Sequence, residues 1–417
     1  MQADKKWDLI SVASIPLIMT LGNSMMIPIL PDLSKRLDVT SFQISMVITA
    51  YSLMAIPLIP VAGYLSDRIG RKNVIIPSLI IAAVGGLISG LACWLMEDSY
   101  WVVLLGRLLQ GVGAAGAFPI VLPLIGDMFK REDDVSQGLG VVETANTFGK
   151  VLSPILGSFL AGILWFLPFL TIPVFCLISI LLVAFLVKSP KDQKKPKDFG
   201  AFLGSIKAIF RQKGRWLYAI FVIGGICMFV VFGLLFYLST RLEDQYGIEG
   251  MKKGLILAIP LASLCLASYV TGKKTGENKM LMKWITFLGL LLLAAAVFAA
   301  GYMRSMTFIT ISLFISGIGI GVTLPCLDAF ITEGIDKDER GTISSIYSSM
   351  RFIGVALGPP VVSVLMNTTQ MTLFWTMTGV SVLSALLALF ALRPSPGKGG
   401  AGDIGRIGSN RHRYQRT

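Results

Sequence analysis

Long apolar segments alternate with short polar ones along most of the chain. Runs of about 20 apolar residues can cross about 30 Å of hydrocarbon as an α-helix, because a helix rises about 1.5 Å per residue. Strands of a membrane barrel would be about half as long and would alternate in polarity, and these segments do not. The pattern therefore predicts about twelve membrane-spanning helices. The predicted spans are residues 8–30, 41–63, 74–95, 101–126, 138–163, 166–187, 216–239, 250–271, 281–302, 306–331, 342–366 and 371–392.

Composition leads to the same class of protein. Of the 417 residues, 54% are hydrophobic and only 15% are charged, and the mean hydropathy is +0.73. So few charges cannot solvate a globular surface of this size, so the apolar residues must face lipid. We expect an all-α integral membrane protein with twelve transmembrane helices in two pseudo-symmetric six-helix bundles.

The net charge of +13 comes mainly from one side of the predicted membrane. If both termini are cytoplasmic, about 28 of the 37 Lys and Arg residues lie on that side, which is the positive-inside pattern. This distribution excludes a nucleic-acid footprint and favours the lipid bilayer as the partner. The first span starts at Trp7 without a small-residue cleavage site after a short core, so we read it as a retained helix. We expect a multi-pass protein of a bacterial-type plasma (inner) membrane.

A polar segment, residues 188–215, divides the spans six and six. It contains Pro190, Pro196 and a run of lysines, as expected of a cytoplasmic linker. We predict one six-helix bundle over residues 1–187 and another over 216–393. Residues 394–417 are Gly- and Arg-rich, and we expect a disordered cytoplasmic tail.

The two halves repeat each other in sequence. Parallel repeats of six helices with a site at their interface are a transporter architecture. The matching segments are Gly111-Val-Gly113-Ala-Ala-Gly-Ala-Phe-Pro119 with Gly317-Ile-Gly319-Ile-Gly-Val-Thr-Leu-Pro325, and Gly149-Lys-Val-Leu-Ser153-Pro154 with Gly354-Val-Ala-Leu-Gly358-Pro359.

Several kinds of chemistry are absent from the sequence. The five cysteines are scattered through apolar spans without metal-ligand spacing, and the one histidine, His412, lies in the tail. The literal G-x-G-x-x-G at Gly111 lies inside a span with no strand before it, so it indicates helix packing rather than dinucleotide binding. The chain has no phosphate-binding loop for an ATP-driven pump and no catalytic cluster in its short loops. We therefore predict no enzyme activity, no metal and no cofactor. Any proton that crosses the membrane must be carried by a carboxylate.

Charged residues inside the spans are the candidate site. A charge near the bilayer centre costs at least about 2.5–3.5 kcal/mol, so each is a functional hypothesis. In span five, a single helical face is polar at positions i, i+3, i+4 and i+7. That face should line the cavity and consists of Glu143, Asn146, Thr147 and Lys150. The other charged candidates are Arg107, Asp328, Arg351 and, at the outer mouth, Asp32.

A proton carrier must bind and release its proton near neutral pH. Burial raises the pKa of a carboxylate, and a neighbouring cation lowers it. Glu143 and Asp328 both fit, and we favour Glu143 because its helix face is polar throughout. A structural salt bridge is the alternative for either residue.

The substrate class is left open by the sequence. Met25, Met26, Met46 and Met54, with Phe229, Phe232 and Phe236 on one face of span seven, favour an adaptable apolar cavity suited to amphiphiles. Lys150 and Arg351 would instead suit an anionic metabolite such as a siderophore, a phenolate or an organic acid.

The loop between spans two and three is short and densely charged. It runs Gly63-Tyr-Leu-Ser-Asp67-Arg68-Ile-Gly70-Arg71-Lys72. Anchoring by basic residues alone would not explain the acid or the framing glycines. We expect this loop to act as a gate. The Asp67 carboxylate would interact with the positive N-terminal end of span eleven, and Arg68 would pair with Asp127 at the end of span four.

These segments resemble the major facilitator superfamily and, within it, the twelve-span drug:proton antiporters. The Gly63–Lys72 loop is a near-complete copy of that superfamily's signature between spans two and three, and Leu104–Ala115 resembles its span-four signature. The antiporter-type element of span five keeps the family spacing at Gly140, Gly149, Pro154 and Gly157, with Ser153 and Ser158 where glycines are usual. The stripe Gly149, Ser153 and Gly157 would let a partner helix pack closely, and Pro154 would bend the helix.

The resemblance implies a monomeric secondary transporter that exports small amphiphilic molecules, drugs or metabolites, in exchange for protons by alternating access. It also implies that Arg107 tunes the proton affinity of a carboxylate. The alternatives are an exporter of an anionic metabolite and a proton-coupled uptake symporter, while a non-transporting receptor or scaffold is a further class.

Overall fold

A computed structural model describes residues 4–129, 132–187, 204, 210–211, 214–274, 278–335 and 337–392, so the predicted tail and most of the predicted linker lie outside the described residues. Prolines interrupt two of the spans. Pro28 lies in the 3₁₀ turn Ile27–Ile29 between α1 and α2, and Pro31 lies in the first turn of α2. Pro119 lies in the break between α5 and α6. The helices are α1 (Asp4–Ser24), α2 (Leu30–Arg36), α3 (Ser41–Ile69), α4 (Arg71–Leu95), α5 (Tyr100–Ala117), α6 (Val121–Met128), α7 (Glu132–Ile163), α8 (Leu167–Leu186), α9 (Arg215–Asp244), α10 (Gly250–Lys274), α11 (Lys279–Tyr302), α12 (Met306–Gly334), α13 (Lys337–Met366) and α14 (Gln370–Ala391).

Most of these helices are long enough and apolar enough to span a membrane. Among the described residues, 11 helical stretches are long and apolar enough to cross a bilayer, with α1 to α2 and α5 to α6 each counting as one stretch. Helix α7 is a further long helix of 32 residues, and Glu143, Asn146 and Lys150 lower its mean hydropathy. The all-helical prediction is confirmed, and α7 differs from the other spans because it carries the polar face.

Consecutive spans run in opposite directions, with α1 to α2 and α5 to α6 each forming one span, so the molecule has two ends. We call the end that holds Gly70, Phe129 and Val187 the linker end, and the end that holds Asp38 and Gly247 the far end. The turn at Gly70 shows why the helices can reverse so tightly: its φ of +97° disfavours any residue with a Cβ, and this one glycine ends α3 and begins α4.

Glycines bring helices of each half into contact at matching positions. In both repeats the first glycine of the G-x-G pair meets one neighbouring helix and the second meets another. A Cβ at any of these glycines would overlap a carbonyl, so only glycine permits the approach. The pairs are Gly111 with Tyr51, Gly113 with Ser78, Gly317 with Pro260 and Gly319 with Gly289.

The two halves also touch each other, chiefly between α3 and α13 and between α7 and α10, and α9 meets α2 and the 3₁₀ turn before it. Gly254 of α10 lies against the Pro154 carbonyl of α7, where a Cβ would approach to 2.5 Å. Hydroxyl-to-carbonyl hydrogen bonds connect Ser239 to Ile27 at 3.0 Å, Thr49 to Ala356 at 2.7 Å and Ser349 to Ile56 at 3.0 Å. These contacts lie at the far end or at middle depth.

Candidate functional site

Four charged side chains from both halves meet at the centre of the molecule. Glu143 and Lys150 come from α7, Asp328 from α12 and Arg351 from α13, and all four lie close enough for their charges to interact. The closest opposite pair is Arg351 Nη1 with Asp328 Oδ1 at 4.0 Å. The helices thus bring together the two acids and two of the bases that the sequence singled out.

The polar face of α7 connects to α1. The Thr20 hydroxyl of α1 donates to Asn146 Oδ1 at 2.7 Å, and Asn146 Nδ2 donates to Glu143 Oε1 at 3.2 Å. Asn146 therefore acts as an amide bridge between α1 and the Glu143 carboxylate, which orients that carboxylate toward the central cluster.

Asp328 is accessible although it lies inside the helical bundle. Its side chain is 37% exposed, whereas that of its partner Arg351 is 16% exposed. Asp328 lies six residues before Gly334, where α12 ends at the linker end. Asp328 is thus a carboxylate within the bundle that stays partly exposed.

Lys150 differs from the other members of the cluster because its ammonium lacks a partner. The residue is 8% exposed, and Nζ is buried with no hydrogen-bond acceptor among the described residues. A narrow cavity between the halves is lined by Lys150 together with Ser24, Met228, Val231, Phe232, Leu235, Leu261 and Leu264. A buried, unpaired cation beside apolar and aromatic side chains is a poor structural element and a good anion site.

The expected cavity lining is correct for only some residues. Phe232 lines the cavity as predicted. Met26 and Phe236 do not line it, and both are fully buried in the hydrophobic core at 0% and 1% exposure.

Arg107 is a packing element of the first half. Its guanidinium is fully buried and donates to the carbonyls of Val47 at 2.9 Å and Gly22 at 3.1 Å, to Asn23 Oδ1 at 2.6 Å and to Gln110 Oε1. These acceptors are neutral and belong to α1, α3 and α5 itself. The structure does not bring Arg107 together with Glu143 or Asp328, which removes the basis for the expected tuning of a carboxylate.

Asp32 lies at the far end, as expected of a residue at the mouth. Arg36 Nε donates to Asp32 Oδ2 at 2.9 Å, and both side chains are exposed. An exposed i, i+4 ion pair on a short helix is a surface feature. The contacts of Asp32 thus favour a surface role over the predicted proton coupling.

In the loop between α3 and α4, Arg71 makes the contact that was expected of Arg68. Arg71 Nε donates to Asp127 Oδ2 at 3.0 Å, and Arg71 also pairs with Asp67 and donates to the Ser66 hydroxyl at 2.7 Å. The prediction of an Arg68–Asp127 pair is wrong, because Arg68 lies two residues before the Gly70 turn and is exposed. The contact of Asp67 with the N-terminus of span eleven stays a prediction.

Two further loop residues join neighbouring helices. Lys72 Nζ donates to the carbonyls of Ala184 at 2.6 Å and Val187 at 3.1 Å, so it caps the C-terminus of α8. Gly63 faces α13, where a Cβ would lie 3.1 Å from Ser345 Oγ. The loop thus contacts both halves.

The small-residue stripe of α7 packs against α1. Gly149 lies against Leu17 and Gly157 against the Met25 carbonyl, while the Ser153 hydroxyl donates back to the Gly149 carbonyl at 2.6 Å. Gly140 does not belong to this contact: it is exposed, and nothing lies within 4 Å of the position that its Cβ would take. Its inclusion in the packing element is wrong, because it lies two and a half turns before Gly149 and outside the contact.

The sequence analysis missed an ion-pair network at the far end. Glu243 of α9 is buried and pairs through Oε1 with Lys35 of the first half and through Oε2 with Lys253 of its own half, each at 2.6 Å. Asp244 lies 3.7 Å from the same Lys35 ammonium. In sequence these residues look like ordinary charges at the ends of spans, and only the three-dimensional arrangement joins the two halves.

Comparisons with known proteins agree with this fold. A family model described as Major Facilitator Superfamily matches residues 12–359 and 283–410. The chain is 52% identical over 386 residues to a bacillibactin exporter of Bacillus subtilis, covering 92% of this chain and 96% of that protein. It is 26% identical to a class C tetracycline resistance protein of Escherichia coli, over 88% of this chain and 92% of the relative. The crystal structure of the human organic anion transporter MFSD10 (TETRAN) covers 93% of this chain and 100% of its own at 19% identity, with a TM-score of 0.73.

Proposed function

Since this chain belongs to the major facilitator superfamily, we propose that it exports a siderophore across the cytoplasmic membrane in exchange for protons. Membership makes the chain a transporter and not an enzyme, and such transporters use ion gradients rather than a cofactor. The observation that carries the substrate class is the similarity to the bacillibactin exporter, which is 52% identical over nearly the whole of both chains. The drug efflux relatives are far less similar, at 26% identity or lower.

The central cluster is suited to an acidic substrate. An iron chelator binds its metal through oxygen donors that are anionic or ionisable. Lys150 lines the cavity and, among the residues that the structure describes, its ammonium has no hydrogen-bond partner. Arg351 lies near Asp328 in the same charged cluster. Phe232 and Met228 supply an apolar wall for the body of the molecule.

The positive-inside pattern favours a cytoplasmic linker end. With that orientation the far end is external, where the Lys35–Glu243 pair joins the halves, and the partly exposed Asp328 lies near the cytoplasmic end of α12. This arrangement corresponds to the state that takes up a substrate from the cytoplasm in alternating access. Proton binding to Glu143 or Asp328 would bias the opposite state. We expect a monomer, because each half buries its own core and the transport path lies between them.

The test uses proteoliposomes with an imposed pH gradient and a pH-sensitive dye. Bacillibactin should collapse the gradient, and a cationic amphiphile such as ethidium should not. Collapse with ethidium and not with bacillibactin would favour multidrug efflux. Movement of bacillibactin in the same direction as the proton would identify an uptake symporter and contradict the proposal.

A further inference from the structure

We propose that Lys150 is the residue that selects the substrate for negative charge, by binding an oxyanion carried on an aromatic group. This inference rests on the proposed export of an acidic substrate and names the contact that recognises it. The inference gives the two cations of the cluster different roles: Lys150 binds the substrate, and Arg351 neutralises Asp328.

The surroundings of Lys150 leave its charge uncompensated. The charged or titratable groups that face it are Glu143 of its own helix and, from neighbouring helices, Asp328, Arg351 and Cys265. No carboxylate oxygen among the described residues lies within 4.0 Å of Lys150 Nζ. The two nearby acids have other contacts: Glu143 accepts a hydrogen bond from Asn146, and Asp328 lies near Arg351. An ammonium without an acceptor is costly in such a place, so a ligand that supplies one gains what the protein lacks.

The walls of the cavity define the rest of the ligand. The groups that line it beside Lys150 are mostly apolar, with the Phe232 ring and the Met228 thioether among them. Aromatic and thioether groups favour flat, polarizable partners. The chemistry therefore fits a phenolate or an aryl carboxylate better than a small hydrophilic anion such as phosphate, which would lose its hydration without replacement.

The position of Lys150 also explains how recognition could be coupled to transport. It lies on α7, one turn before Pro154, whose carbonyl meets Gly254 of α10 in the second half. Met228, Phe232 and Leu261 of the cavity belong to that second half. A ligand bound between Lys150 and these residues would contact both halves, and it would be released when they separate.

The test measures binding to the purified full-length protein in nanodiscs with a matched pair of probes, salicylate and its uncharged amide salicylamide. Wild type should prefer salicylate by about tenfold or more, as expected of a charge-assisted contact. Lys150→Met should abolish that preference, and Lys150→Arg, which keeps the charge, should retain it. Lys252→Met removes a positive charge from an exposed site at the far end and should behave as wild type.

Equal binding of the two probes by wild type, or an unchanged preference in Lys150→Met, would overturn the inference. Loss of transport in Lys150→Met with its charge preference intact would also overturn it, because Lys150 would then serve the structure or the proton. Thermal unfolding of each variant identifies misfolding, and Lys150→Arg keeps the test decisive if Lys150→Met is unstable. Failure of wild type to move bacillibactin would contradict the proposed function, whereas the salicylate pair tests Lys150 independently.

Discussion

Individual buried charges in this protein take their roles from their partners. Arg107 and Lys150 are both buried cations. Every acceptor around Arg107 is neutral and in place, whereas Lys150 Nζ has no acceptor in the part of the chain that the structure describes. A satisfied cation stabilises the fold, and an unsatisfied one is available to a ligand. The two residues should therefore respond differently to substitution.

Replacing Arg107 tests the structural role. Arg107→Met leaves the carbonyls of Gly22 and Val47 without their donor, so we expect it to destabilise the protein by at least about 2 kcal/mol. Thermal unfolding in detergent measures this as a lower midpoint. Arg107→Lys should also lower the midpoint while leaving the pH dependence of transport unchanged. A shifted pH profile without loss of stability would restore the proton-tuning role.

The two central carboxylates should separate in a coupling assay. Glu143→Gln should reduce transport driven by a pH gradient by about tenfold or more, because a neutral amide cannot carry the proton. Exchange of labelled substrate for unlabelled substrate needs no net proton movement and should persist in this variant. Asp328→Asn, which leaves Arg351 without its acid, should retain more gradient-driven transport. The reverse order would make Asp328 the carrier.

The residues of the central cluster could be predicted because charges are conspicuous in apolar spans. Glu143, Lys150, Asp328 and Arg351 meet because they lie at middle depth on helices that face the interface. Partners were harder to predict, since they depend on helix rotation: Arg71 rather than Arg68 meets Asp127. Glu243 was missed because charges at span ends are common and rarely buried.

At the scale of helices, close contacts of glycine set the packing of α7. Gly157 touches the Met25 carbonyl at the end of α1. On the other side, Gly254 of α10 lies against the Pro154 carbonyl of α7. Helix α7 therefore lies between the two halves and contacts both. The sequence predicted the close-packing stripe from its spacing, although the spacing could not identify which helix packs against it.

A matched pair of glycine substitutions tests this packing. Gly157→Ala places a methyl group on the Met25 carbonyl and should destabilise the protein by about 1–3 kcal/mol. Gly140→Ala is in open space and should stabilise the helix by about 0.5–1 kcal/mol, since alanine is the better helix former. Unfolding midpoints of the two variants against wild type measure both effects. A similar loss in both would mean that Gly140 also meets a partner.

Across the whole molecule, the far end is closed by a charged contact between halves. Glu243 holds Lys253 of its own half and Lys35 of the other. When the halves separate there, the pair with Lys35 must break while the pair with Lys253 persists. Glu243 thus keeps one partner in either state, which avoids leaving a buried carboxylate alone.

Crosslinking tests whether opening at the far end is needed. The Lys35 ammonium lies 3.7 Å from the Asp244 carboxylate, and both side chains are largely exposed. The double variant Lys35→Cys with Asp244→Cys, joined by a short bifunctional thiol reagent, should lose transport and regain it after cleavage of a reducible linker. Each single variant treated alike should remain active. Full transport in the crosslinked protein would contradict alternating access through this end.

The hydrogen bonds between Lys72 and the end of α8 affect how the chain can be divided into separate fragments. Because Lys72 holds the carbonyls of Ala184 and Val187, the last helix of the first half is secured within its own bundle. Continuity of the polypeptide beyond that point is then dispensable for its placement. We expect the first 195 residues and the remainder, synthesised as separate fragments in one cell, to co-purify and transport, and Lys72→Gln to weaken that reassembly more than it weakens the intact protein.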